Sequence, residues 1–160
     1  MKLISSSELR VKHFNWTTER SSRLGENMSV LSRAEVRERE KRSREYLVKI
    51  LHKLINEING IFVVLFTHEG LPVAVYPSDT VDPLDASVQA SAISGAVGTF
   101  TKSIGINKVN YLIVSGENAG IVIVTNEHYG LMLAFRGKNV GLALFLARST
   151  LNECTRVIIG

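Results

Sequence analysis

Residues 54–77 read LINEINGIFVVLFTHEGLPVAVYP. The first five of these close an apolar stripe at helical spacing, made of Tyr46, Leu47, Ile50, Leu51, Leu54, Ile55 and Ile58. Asn59-Gly60 stops that helix with a C-cap signal. Ile61 to Phe66 is a continuous β-rich apolar run, the pattern of a strand buried on both faces. His68-Glu69-Gly70 turns the chain, and Leu71 to Tyr76 returns as a second strand, closed by Pro77. Pro72 has no N–H to give to a ladder, so the second strand belongs at a sheet edge or starts late.

Upstream, the helix starts with clear punctuation. Ser32 and Glu35 have the spacing of a capping box, and Leu31 and Val36 that of a hydrophobic staple. Glu35–Arg39, Glu38–Arg42 and Glu40–Arg44 are i,i+4 pairs in the favourable order, each worth about 0.3 kcal/mol. Arg33 to Arg44 is charged all round, so this half should project beyond the domain by about 18 Å. It reads as a solvated helical arm or, through Arg37, Lys41 and Arg44, as a basic surface for an acidic partner or membrane headgroups. Residues 1–31 are polar, Ser/Arg-rich and without period, which predicts a flexible tail. Phe14 and Trp16 are its only bulky aromatics and could dock on a partner; Met28 could be an alternative start.

Downstream, Asp82 is a good N-cap with Pro83 at the first helical position. The helix runs to about Ile104, stopped by Gly105, and Leu84, Val88, Ile93, Val97, Phe100 and Ile104 supply its apolar face. Ala86, Ser87, Ala90, Ser91, Ser94, Gly95 and Gly98 are all small. Each glycine costs about 1 kcal/mol of helix propensity against alanine, which asks for a packing reason. That reason is close packing within the chain or, the reading favoured here, a helix from a second copy. Three strands follow as a meander, Lys108–Ser115, Gly120–Thr125 and Leu131–Arg136. Asn139 caps a last helix from Val140 to about Arg156, with Val140, Ala143, Leu144, Ala147, Leu151, Cys154 and Ile158 as its buried stripe. Leu142, Phe145 and Leu146 extend the apolar surface, so more than one face should be covered. Helix, two strands, helix, three strands, helix make a three-layer α/β domain over 32–160, with 32–44 as its arm and a mostly antiparallel five-stranded sheet.

Composition narrows the function classes. Residues 1–60 hold 13 of the 19 Lys/Arg and 8 of the 15 Asp/Glu, so the rest of the chain is nearly neutral and lacks the basic face of a nucleic-acid reader. No window approaches a membrane span, and the first residues carry no apolar signal region. With one cysteine there is no intrachain disulfide, and the expected location is the cytoplasm. Gly137-Lys138-Asn139 lacks the spaced glycine and the Ser/Thr of a phosphate loop. No nucleophile elbow, zinc-helix or dinucleotide fingerprint occurs. His13, His52, His68 and His128 are scattered, and His68-Glu69 reads as a solvated turn. Asp79, Asp82 and Asp85 lack the Asp-x-Asp-x-Asp-Gly pattern of a cation loop, helix capping explains Asp82 and Asp85, and the core explains Cys154. No catalytic, metal or cofactor site is expected.

Several of these stretches resemble the Roadblock/dynein light chain family. Leu54 to Gly60 resembles that family's first helix running into a glycine. His68-Glu69-Gly70-Leu71-Pro72-Val73-Ala74 resembles its turn into the second strand. Ala86 to Gly98 resembles its Ala/Ser-rich second helix, and Asn139-Val140-Gly141-Leu142-Ala143 the start of its last. The resemblance covers residues 45–158, leaving the tail and the arm as departures. It implies a fold of the Roadblock/profilin-like kind with strand order 2-1-5-4-3. It further implies a homodimer or a pairing with a Roadblock paralogue, in which third strands pair and second helices lie side by side. Family members are non-catalytic platforms that bind or regulate Ras-like small GTPases, or serve as dynein light chains. The expected dimer contacts are Ala90, Ser94, Gly98, Tyr111 and Ile113. A small-GTPase regulator is thus the first reading, and neither nucleic acid nor membrane is expected as partner. A profilin-like ligand-sensing module is the rival; it needs a cavity lined by polar groups, and no converging polar set is visible on the buried faces.

Overall fold

The structure, a computed structural model, describes residues 32–160. The expected tail, with His13, Phe14, Trp16, Met28 and the staple residue Leu31, lies outside the described residues. The chain divides after Val36: of the first unit Ser32–Val36 are described, and Arg37–Gly160 form the second.

Helix α1 spans Arg33–Ile58. Its capping box is formed, with the Ser32 N–H donating to Glu35 Oε2 at 2.6 Å and the Glu35 N–H donating to Ser32 Oγ at 3.3 Å. Among the expected ion pairs, Arg42 Nε meets Glu38 Oε1 at 3.2 Å. Arg37 to Tyr46 are exposed, and burial begins at Leu47. The left-handed residue after the helix is Asn59, at φ 52°. Gly60 already belongs to the next strand, where a Cβ would press on Ile55.

Strands β1 (Gly60–Thr67) and β2 (Pro72–Tyr76) form the first hairpin. Helix α2 (Pro83–Ser103) follows, then the meander β3 (Tyr111–Ser115), β4 (Ala119–Thr125) and β5 (Tyr129–Arg136), then helix α3 (Val140–Ile159). The sheet order is β2-β1-β5-β4-β3, and every neighbouring pair is antiparallel. β2 and β3 are therefore the two edges, as Pro72 required of β2. β3 is shorter than expected: Lys108 to Asn110 stay outside it, although the Asn110 carbonyl accepts the Thr125 N–H at 3.2 Å.

Period-two alternation along β1 divides the core between the two faces of the sheet. Val63 and Leu65 join Leu51, Leu54, Leu133, Phe135, Leu151 and Cys154 under α1 and α3. Phe62, Val64 and Phe66 join Ala86, Ala90 and Ile123 under α2. The two fully buried rings, Phe66 and Phe135, need space that only glycine leaves. A Cβ on Gly120 would stand 2.9 Å from Phe135 Cζ, and one on Gly130 would overlap the Phe66 ring. The last helix runs to Ile159 and buries Thr150 as well as the expected stripe residues Ala143, Ala147, Leu151 and Cys154. Its second apolar face is not covered by the described residues: Leu142 and Phe145 are exposed, Phe145 by 69%.

Candidate functional site

Among the described residues no group of three or more His, Cys, Asp or Glu side chains gathers as metal ligands would. The Cys154 thiol is pushed up to about 12 by burial, so it stays protonated and unreactive at neutral pH. Around the Glu69 turn, hydrogen bonds from Thr67 and from the backbone hold the carboxyl below the usual carboxylate range. The fold also exposes apolar surface, and α2 carries Leu84, Val88, Ile93 and Phe100 of it.

Asp82 opens α2, its Oδ1 accepting the Leu84 N–H at 2.8 Å and the Asp85 N–H at 3.2 Å. The helix then rests on the sheet through its small residues, Ala86, Ser87 and Ala90, all buried. At Gly70 a Cβ would lie 3.1 Å from Val88 Cα, so the turn before β2 and the helix backbone are nearly in contact. The Ser87 hydroxyl donates to the Pro83 carbonyl at 2.7 Å and the Ser91 hydroxyl to the His68 carbonyl at 2.6 Å. Close approach to the sheet thus explains the N-terminal small residues from within the chain.

The apolar face of the helix is turned outward: Leu84, Val88, Ile93, Phe100 and Ile104 are exposed, Phe100 by 64% and Ile104 by 59%. The reason is steric: a helix held this near a sheet turns its short side chains inward and its long ones out. Ile93, Val97, Phe100 and Ile104, at spacings of four, three and four, make one apolar stripe along the C-terminal half.

Small residues on another side of α2, from Ser91 into its C-terminal half, face a groove. Ser91, Ser94, Gly95 and Gly98 line a groove of about 420 Å³ whose opposite wall is Tyr111, Leu112 and Ile123. A Cβ on Gly95 or Gly98 would meet nothing within 4 Å. Beside the groove runs β3, the free edge of the sheet, with Tyr111, Ile113 and Val114 exposed.

Of the expected contact residues, Ala90 is fully buried under α2 and faces its own sheet. Ser94 and Gly98 line the groove. Tyr111 and Ile113 pair with Val124 and Val122, which belong to the cluster under α1 and α3. Leu112 pairs with Ile123 and so stands on the α2 side, together with Val114. Arg37, Lys41 and Arg44 are exposed on α1.

The sequence reading missed a polar end to the groove. His68 Nε2 lies 3.0 Å from the Asn126 carbonyl oxygen, and Asn126 Nδ2 donates to Thr155 Oγ1 at 2.8 Å. Asn126 Oδ1 also accepts the N–H groups of His128 and Tyr129, both at 2.9 Å. His68, Asn126 and Lys108 meet there from three loops, a convergence that no local pattern announces.

No family profile matches the sequence, and no curated protein does. Solved structures do. The gliding protein MglB of Thermus thermophilus is 16% identical, with 72% of this chain and 90% of that one covered at a TM-score of 0.63. An MglB in a tetrameric arrangement is also 16% identical, with 72% and 89% covered and a TM-score of 0.64. A Roadblock/LC7 domain from Streptomyces avermitilis is 13% identical, with 72% and 97% covered and a TM-score of 0.62. The chain has the Roadblock fold.

Proposed function

We propose that this chain is a non-catalytic scaffold. It dimerises with itself or with a Roadblock paralogue and, as a dimer, binds a Ras-like small GTPase and modulates its nucleotide cycle. The observation that carries the reading is the division of labour on α2. One side of its C-terminal half is a row of small residues over an open groove beside a free strand edge. The other is an exposed apolar stripe.

The groove and the edge suit a second copy. Two α2 helices approaching at Ser94, Gly95 and Gly98 would explain why glycine stands where nothing among the described residues needs it. Pairing of β3 with its counterpart would satisfy the N–H and C=O groups that an edge leaves open. Tyr111, Ile113, Leu112 and Val114 would then line both faces of the junction, while Ala90 stays in the core. Self-association is also consistent with the tetrameric arrangement of the similar MglB.

The stripe of exposed Ile93, Phe100 and Ile104, with half-buried Val97 between them, suits a partner protein, since exposed apolar residues grouped together mark interaction sites. A GTPase is the partner that the Roadblock resemblance implies, and the scaffold would act by positioning the partner's own catalytic groups. Retention of one Ras-like GTPase from native extract, in a manner that depends on a non-hydrolysable nucleotide, is the expected result. Phe100→Ser should abolish it and leave the dimer mass unchanged. Retention independent of both nucleotide and Phe100 contradicts the reading.

A further inference from the structure

The other edge of the sheet carries a second surface, independent of the α2 reading. β2 is hydrogen-bonded to β1 on one side, and among the described residues the outer backbone groups of Val73–Tyr76 have no partner. A groove of about 610 Å³ runs along that edge, with Arg44 and Val48 of α1 on one wall and Asp79 and Pro83 on the other.

The side of α1 that looks onto this edge is set by His52, whose ring stands 4.8 Å from the Tyr76 ring at a tilt of 52°. Residues three or four apart share a helix face. Counting back from His52, the same line carries Val48, Arg44, Lys41 and Arg37, with the exposed Glu45 beside it. None of these three cations forms an ion pair among the described residues, although Arg42 and Lys53, elsewhere on the helix, do. Three exposed cations therefore lead down one side of the arm into a groove floored by an open strand edge. Asp79 is the sole carboxylate among the residues lining that groove.

We propose that this edge and this stripe together bind an extended acidic segment of a partner protein, which adds to the sheet as a strand beside β2. The edge asks for an extended polypeptide, because only a backbone repeats donors and acceptors at the spacing β2 leaves open. The stripe asks for carboxylates, on the residues nearest Arg44, Lys41 and Arg37. The residue passing Asp79 is neutral. Pro72 sets one end of the pairing, because it has no N–H to offer.

The test uses the full chain and a fluorescein-labelled peptide of about ten residues alternating Glu and Val. A Lys–Val peptide of equal length and vesicles of phosphatidylserine are the comparisons. The proposal expects saturable binding of the Glu–Val peptide alone, weakened by salt. It expects amide shifts at Val73–Tyr76 in nitrogen-resolved NMR. Reversing the stripe (Arg37→Glu, Lys41→Glu, Arg44→Glu) should weaken binding about tenfold or more, without loss of fold because all three side chains are exposed. Absence of binding, equal binding of both peptides, shifts confined to other strands, or affinity untouched by the reversal overturns it. Binding to vesicles in place of the peptide overturns it in favour of a lipid surface. Because Phe100 and the α2 groove lie outside this test, its failure leaves the GTPase reading standing, and the converse holds.

Discussion

Replacing Gly95 and Gly98 together by alanine separates what α2 needs for folding from what it needs for assembly. Both glycines sit inside a helix, neither has positive φ, and a Cβ on either meets nothing within 4 Å. Among the described residues the consequence is helix propensity, which favours alanine by about 1 kcal/mol per site. The double variant should therefore unfold with about 2 kcal/mol more stability. With a slope of about 1.5 kcal/mol per molar urea, the midpoint rises by about 1.3 M. That measurement belongs at protein concentrations low enough that association contributes nothing. At micromolar concentration the same two methyl groups stand between two helices that should approach closely, and sedimentation equilibrium should show dimerisation weakened by at least about tenfold. Stabilisation at dilution combined with unweakened association would refute the assignment of the groove to a second helix. Destabilisation at dilution would refute the open geometry itself.

Gly130→Ala should cost about 2 kcal/mol in urea unfolding, because the added methyl overlaps the fully buried Phe66 ring, which has no room to move away. Asp82→Ala removes both capping bonds of α2 and should cost about 1 kcal/mol by the same assay. Cys154 supplies a pH test. Its thiol ionises near the ordinary value of 9.0 when unfolded and at about 12 when folded, so the folded chain holds the proton longer. That contribution is complete below pH 9 and is lost as pH rises from there towards 12. Stability of the parent should fall in that window more steeply than that of Cys154→Ala, and the native thiol should resist a disulfide reagent at pH 8.

The architecture was legible because its signals are local. The capping box, Asp82 and Asn139 mark helix starts by side-chain chemistry, and Pro72 marks a sheet edge by lacking a donor. The surface was less legible because it depends on which way elements turn. The large apolar residues of α2 mark a face without saying which way it turns, and the nearness of the helix to the Gly70 turn puts Ala86 and Ala90 inside and Phe100 outside. Parity along β3 sets the face in the same way: Tyr111 and Ile113 stand on the side of α1 and α3, Leu112 and Val114 on the side of α2, and a shift of one position exchanges them. Strand order alone brings His68, Asn126 and Lys108 together, and no stretch of chain contains that information. The stripe Arg37, Lys41 and Arg44 was readable as helical spacing, but the edge it runs beside was visible only in three dimensions.

A second copy should complete this domain at the α2 groove and the β3 edge. Sedimentation equilibrium of the intact chain at micromolar concentration, beside Ser94→Trp, tests it most directly. The prediction is a species of twice the 17.7 kDa chain mass that reverts to the monomer in the variant. A strict monomer, or a dimer that Ser94→Trp leaves intact, would contradict it.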